Sequence, residues 1–161
     1  MVPIASALGY PMIAPKARGV SDWYLGNSRE DVFECIEHFL RLFPNVRRER
    51  ILLAGFSMGG YGTWRLGMLR PDCLRALIVI SGAVRSDILN GIESIRGANI
   101  FVLHGAKDRA ARVDAARRVV EKLKALDANV TYIEAPEGGH GDYKGYDLEA
   151  AVIPWIKQYM D

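Results

Sequence analysis

The chain has 161 residues, 50% hydrophobic and 25% charged, with 16 glycines and 7 prolines, which excludes a disordered chain, a collagen and a coiled coil. Its 21 basic and 19 acidic side chains leave a net charge of +2, with both signs interspersed, so neither nucleic acid nor an anionic membrane is an expected partner. At about 150 residues per domain, the length predicts a single domain over residues 1–161.

Strand-like runs alternate with helical patterns from end to end, which predicts an α/β fold with a mostly parallel sheet flanked by helices. The expected strands are Tyr10 to Ala14, Ile51 to Ala54, Ala76 to Ile80, Ile100 to Leu103 and Val130 to Glu134. Three of them are apolar throughout, as strands buried on both faces require. Between the first two, Val32, Ile36, Phe39, Leu40 and Phe43 recur at helical spacing, with Ser28 as the expected cap and Pro44 beyond the end. Val113, Ala116, Val120 and Leu123 form a second amphipathic stripe. Leu148, Val152, Ile156 and Tyr159 form a third, which Pro154 is expected to start or kink.

Several features are read as structurally quiet. Arg47, Arg48 and Arg50 are interrupted by Glu49 and read as a solvated turn. Cys35 and Cys73 have no metal-ligand spacing and read as reduced, inert thiols, and the serine chemistry read below needs no metal or organic cofactor. No run approaches the ~18 consecutive apolar residues of a membrane span, and Met1-Val2-Pro3-Ile4 lacks the basic start of a signal peptide. The chain as written is expected to be soluble, with its compartment left open.

The segment Ile51 to Trp64 reads as a buried strand, a turn containing Gly55-Phe56-Ser57-Met58-Gly59, and a helix. The pattern is G-x-S-x-G in the strand–turn–helix context that gives it meaning. Gly55 and Gly59 are expected to remove Cβ atoms that would collide as the helix folds back on the strand. The turn lifts the Ser57 hydroxyl above the sheet, and the Met58 amide at the helix N-terminus points to the same place, as an oxyanion donor would.

A serine nucleophile needs a base, and the base needs an acid. Asp108 follows the strand Ile100 to Leu103 through His104-Gly105-Ala106-Lys107, and His140 follows the last strand in Pro136-Glu137-Gly138-Gly139-His140-Gly141. Parallel strands end on one edge of a sheet, so Ser57, Asp108 and His140 should converge there. Asp87 is the alternative acid and Ser81 the alternative nucleophile. His104 is expected to order the loop carrying Asp108, and His38 to sit on a helix at the surface or in the core.

These motifs resemble the α/β-hydrolase superfamily, and within it the small, cap-free serine esterases of the phospholipase/carboxylesterase and polyhydroxybutyrate-depolymerase-like group. Gly55-Phe56-Ser57-Met58-Gly59-Gly60, His104-Gly105 with Asp108, and Gly139-His140-Gly141 carry a likeness that spans essentially the whole chain. By this resemblance, Ala14 to Gly19 followed by Trp23 and Tyr24 correspond to a strand and a loop bordering the acyl site, so Trp23 and Tyr24 would line the pocket; the alternative is a pair of surface aromatics.

The chain departs from the family at its start, where the first three strands and the His-Gly-Gly-type loop that normally gives the second oxyanion donor are absent. A fragment or shortened frame is expected, with an exposed strand edge at Tyr10 to Ala14 that favours self-association as a two-fold dimer. After Asp108, Arg109-Ala110-Ala111-Arg112 replaces the family's Val-Pro-like step. The resulting expectation is a serine carboxylester hydrolase acting on small or short-chain acyl or aryl esters. A non-catalytic ligand- or partner-binding module on a degenerate hydrolase fold, or a related peptidase or thioesterase, is the alternative.

Overall fold

A computed structural model describes residues 1–16 and 27–160. Its elements are α1 (Val2–Leu8), α2 (Asn27–Leu42), β1 (Leu52–Phe56), α3 (Met58–Leu69), β2 (Ala76–Ile80), α4 (Ser86–Gly91), β3 (Asn99–Gly105), α5 (Val113–Ala125), β4 (Val130–Ala135) and α6 (Leu148–Met160). The four strands form one parallel sheet in the order β1-β2-β3-β4. Each strand neighbours the next in sequence, so crossovers of a single hand carry α3, α4 and α5 over the same face.

Side chains alternate across the strands and divide the core in two. On one face Leu77, Val79, Ile100 and Val102 pack against Trp64 of α3, Ile88 of α4, and Val119, Val120 and Leu123 of α5. On the other, Ala76, Ile78, Ile80, Phe101 and Leu103 pack against Ile4 of α1 and Val152, Trp155 and Ile156 of α6. Strand β2 is buried at every position, as its unbroken apolar sequence predicts. Strand β1 is equally apolar but only half-buried, because no strand among the described residues pairs with its outer edge.

Tyr10 to Ala14 is not a strand. Gly9 takes a left-handed conformation (φ +66°), its amide donates to Ser6 O, and the Tyr10 amide donates to Ala5 O at 2.9 Å. Tyr10 therefore closes α1 rather than joining a ladder, and Pro11 and Pro15 bracket a run that cannot pair fully. The helix α1 stands where the hydropathy pattern predicts no element, and Pro3 near its start and Gly9 after its end are the helix punctuation that marks it. Helix α2 begins at Asn27, so Ser28 lies inside its first turn rather than capping it. Pro154 lies inside α6, not at its start. Trp23 and Tyr24 lie outside the described residues.

Candidate active site

Strand β1 ends at Phe56 and α3 begins at Met58, so Ser57 makes the whole turn between them. Its backbone sits at φ +53°, ψ −114°, a region that a residue with a Cβ enters only when its surroundings force it. Two bonds do so: the Ser57 amide donates to Ile80 O of β2 at 2.9 Å, and its carbonyl accepts the Tyr61 amide at 3.0 Å. A Cβ at Gly55 would stand 2.1 Å from the Gly59 carbonyl oxygen and 2.6 Å from Thr63 Oγ1, so glycine is required there. At Gly59 a Cβ would meet open space. The expected collision is therefore one-sided, since residue 59 contributes its carbonyl to the contact and not a missing side chain.

Strand β3 leads to Asp108, the candidate acid. A Cβ on Gly105 would lie 2.4 Å from Gly139 O and 2.5 Å from Gly138 O, so the loop after β3 and the loop after β4 meet through bare backbone. The Lys107 amide donates to Gly138 O at 2.8 Å and the Ala106 amide to Ala135 O at 2.9 Å, which locks the two loops together. The Asp108 side chain is fully buried. Its Oδ1 accepts the Ala110 and Ala111 amides, each at 2.8 Å, and its Oδ2 lies 2.8 Å from His140 Nδ1. Burial opposes the carboxylate charge, but the His140 ring and the two amides outweigh it and hold the carboxyl below the usual aspartate range.

An ionised carboxylate only accepts, so His140 Nδ1 carries the proton and Nε2 presents its lone pair. That Nε2 lies 2.9 Å from Ser57 Oγ, which makes an unbroken Ser57–His140–Asp108 chain of hydrogen bonds. The Phe56 ring packs on the imidazole with centroids 5.0 Å apart. Ser57 is half-buried and His140 is 27% exposed, so the outer end of the chain faces solvent. Met58, the first residue of α3, has an amide that no helical carbonyl can reach.

The other candidates are engaged elsewhere. Asp87 accepts from Tyr61 Oη at 2.9 Å and pairs with Arg65, so it takes no part in the Ser57 chain. Burial and that carboxylate push the Tyr61 hydroxyl up to about 12. His104 is buried, with Nε2 2.7 Å from Ala111 O and 3.5 Å from Asp108 Oδ2. It thus braces the loop that carries the Asp108 amide donors, as expected from its position. His38 is on the exposed face of α2. Ser81 is fully buried, and its hydroxyl meets Tyr143 Oη at 2.7 Å. Sequence reasoning missed Tyr143, whose partner lies 62 residues away. Both cysteines are free. Among the described residues no cluster of three or more His, Cys, Asp or Glu could hold a metal, and no helix is long and apolar enough to cross a membrane.

A parallel sheet whose first strand turns sharply through a serine into a helix, with an acid and a histidine on later loops at the same edge, defines the α/β-hydrolase fold, and this chain has it. No family model matches the sequence. Over 127 residues it is 28% identical to the "Putative carboxymethylenebutenolidase" of Escherichia coli (strain K12), covering 68% of this chain and 46% of that protein. The chain therefore spans about half the length of the curated relatives it matches. A solved thermostable esterase superposes with a TM-score of 0.66 at 29% identity, covering 87% of this chain and 36% of that one. Two more distant structures share the fold. They are an Arabidopsis thaliana SOBER1 variant (TM-score 0.67, 20% identity, 92% of this chain and 71% of that one) and the Pyrococcus horikoshii acylaminoacyl peptidase (TM-score 0.64, 22% identity, 81% and 26%).

Proposed function

We propose that this chain is the catalytic portion of a serine carboxylester hydrolase acting on small or short-chain esters. The observation that carries the reading is the continuous Ser57–His140–Asp108 chain, with distances of 2.9 and 2.8 Å and a solvent-facing outer end. Its kinship to a thermostable esterase at 29% identity supports the same class of reaction.

In this reading Ser57 Oγ attacks the ester carbonyl carbon while His140 Nε2 takes the hydroxyl proton. The ionised Asp108 stabilises the imidazolium, and the Met58 amide donates to the oxyanion. Collapse of the tetrahedral species expels the alcohol, which takes its proton from His140 and leaves an acyl-serine. A water then repeats the sequence, with His140 as base, and releases the acid. The steps need neither metal nor organic cofactor. The exposed Phe56 and Met58 side chains flank Ser57 and present apolar surface to an acyl or aryl group.

The name of the bacterial relative denotes action on a carboxymethylene-substituted butenolide, a cyclic ester, so a lactone belongs in the substrate panel beside linear aryl esters, an acyl-peptide and a thioester. The direct test is labelling with a fluorophosphonate together with turnover of a short-chain aryl ester. Both should occur in the parent protein and both should vanish in Ser57→Ala. A parent that neither labels nor turns over any of these substrates would instead favour a binding module on a hydrolase fold.

A further inference from the structure

The pair Ile80–Ser81, at the C-terminal end of β2, touches all three segments that carry the site. Ile80 O accepts the Ser57 amide at 2.9 Å and so holds the serine turn. The Ser81 amide donates to Leu103 O at 2.8 Å, which fixes it to the strand leading to Asp108. Ser81 Oγ lies 2.7 Å from Tyr143 Oη, three residues beyond His140. Ser81 achieves this with a positive φ of +43°, a conformation that serine keeps only when its surroundings over-determine it.

Tyr143 is the other end of the strap. Its loop closes on itself through Gly139 N to Asp142 O and Tyr146 N to Tyr143 O, both at 2.8 Å. The Tyr143 side chain packs against the core cluster that β2, β3, α1 and α6 share, to which Ile78, Ile80 and Leu103 belong. The bond to Ser81 thus ties the part of the loop downstream of His140 to the centre of the sheet. Burial, assisted by the nearby Asp108 charge, pushes the phenol up, so it remains a neutral hydroxyl.

We infer that Ser81 and Tyr143 are positioning residues, whose mutual hydrogen bond sets the His140 imidazole between Ser57 and Asp108. The inference rests on the proposed roles of those three residues. Positioning of this kind affects rate more than binding, because displacing a base by a fraction of an ångström disrupts proton transfer without changing the apolar surface that holds an ester.

The test is a double-mutant cycle of Ser81→Ala, Tyr143→Phe and the double variant, each checked for a parental far-ultraviolet circular dichroism spectrum. Tyr143→Phe keeps the ring in the core and removes only the hydroxyl, so it serves if Ser81→Ala does not fold. For a short-chain aryl ester, each single variant should lose on the order of ten-fold in kcat with KM little changed, and the double should lose no more than either single.

A readout independent of turnover is the low-field proton resonance of His140 Nδ1–H, bonded to Asp108, which should broaden or shift in either single variant. Parental kcat with an unchanged resonance, or losses that multiply in the double variant, would overturn the inference and leave the hydrolase reading standing. A parent that neither labels with a fluorophosphonate nor turns over any substrate of the panel would sink the hydrolase reading, and the resonance would still decide whether the strap positions His140.

Discussion

Gly60 of α3 and Gly82 beyond β2 meet backbone to backbone: a Cβ on Gly60 would stand 2.6 Å from Gly82 Cα, and one on Gly82 would stand 3.0 Å from the Gly60 carbonyl carbon. This contact lays the first turn of α3 against the end of β2 and fixes the direction in which the helix leaves Ser57. Gly60→Ala should therefore cost about 1–3 kcal/mol, since backbone on the facing side cannot move as a side chain would. Gly59→Ala enters open space within a helix and should be neutral or stabilising by up to ~1 kcal/mol. Urea unfolding of both variants checks the contrast, and equal costs would remove the backbone contact as its cause.

Asp108 and Asp87 each follow a strand of the same sheet, and their partners separate them. Asp108 accepts the His140 ring N–H, whereas Asp87 holds Tyr61 and Arg65. If Asp108 has the proposed role, Asp108→Asn offers His140 a group that can donate, which favours the wrong tautomer, and should reduce ester turnover by about 10⁴-fold, as for the acid of a Ser-His-Asp triad. Asp87→Asn should leave turnover near the parent's. The reverse pattern in steady-state kinetics would assign the acid to Asp87.

The Asp108 bonds also predict a pH dependence of stability. Its folded carboxyl is held below the usual value, so the unfolded chain takes up the proton first as pH falls. The stabilisation is fully present above the unfolded value of about 3.9 and is lost as pH drops through the lower folded value. Thermal unfolding of Asp108→Asn should accordingly show a shallower acid limb than the parent as pH falls below about 4. An identical acid limb in the two proteins would mean that the buried carboxylate is not ionised in the native state.

The parts of this molecule that could be read from sequence are those set by local pattern. The unbroken apolar run of β2, the stripe of α5 and the glycine-flanked Ser57 each follow from residues adjacent in the chain. Asp108 and His140 could be placed because parallel strands deliver their following loops to one edge. Tyr10 to Ala14 departs from its expected strand because its apolar residues suit one in pattern alone, while the capping bonds of Gly9 and Tyr10 that end α1 are invisible to hydropathy. The Ser81–Tyr143 bond could not be read at all, since nothing local in either residue points to a partner 62 positions away.

The expectation of self-association moves from Tyr10 to Ala14, which is no strand, to the outer edge of β1. Ile51 O and the Ser57 amide bond to the β2 side, so by alternation the backbone groups of Leu52, Ala54 and Phe56 face away from it. Natural edges are commonly guarded by a charge, a proline or a bulge. Leu52-Leu53-Ala54-Gly55-Phe56 carries neither charge nor proline, and among the described residues no strand covers it. We expect two copies to pair there across a two-fold axis, each supplying the same edge. Ala54→Pro should weaken that pairing, because it deletes an outward-facing N–H and leaves the β1–β2 ladder its own donors. Sedimentation equilibrium at micromolar concentration should then show a dimer for the parent and a monomer for Ala54→Pro. A parent that sediments as a monomer would show that the β1 edge is not an interface, and an Ala54→Pro variant that remains dimeric would place the interface on another surface.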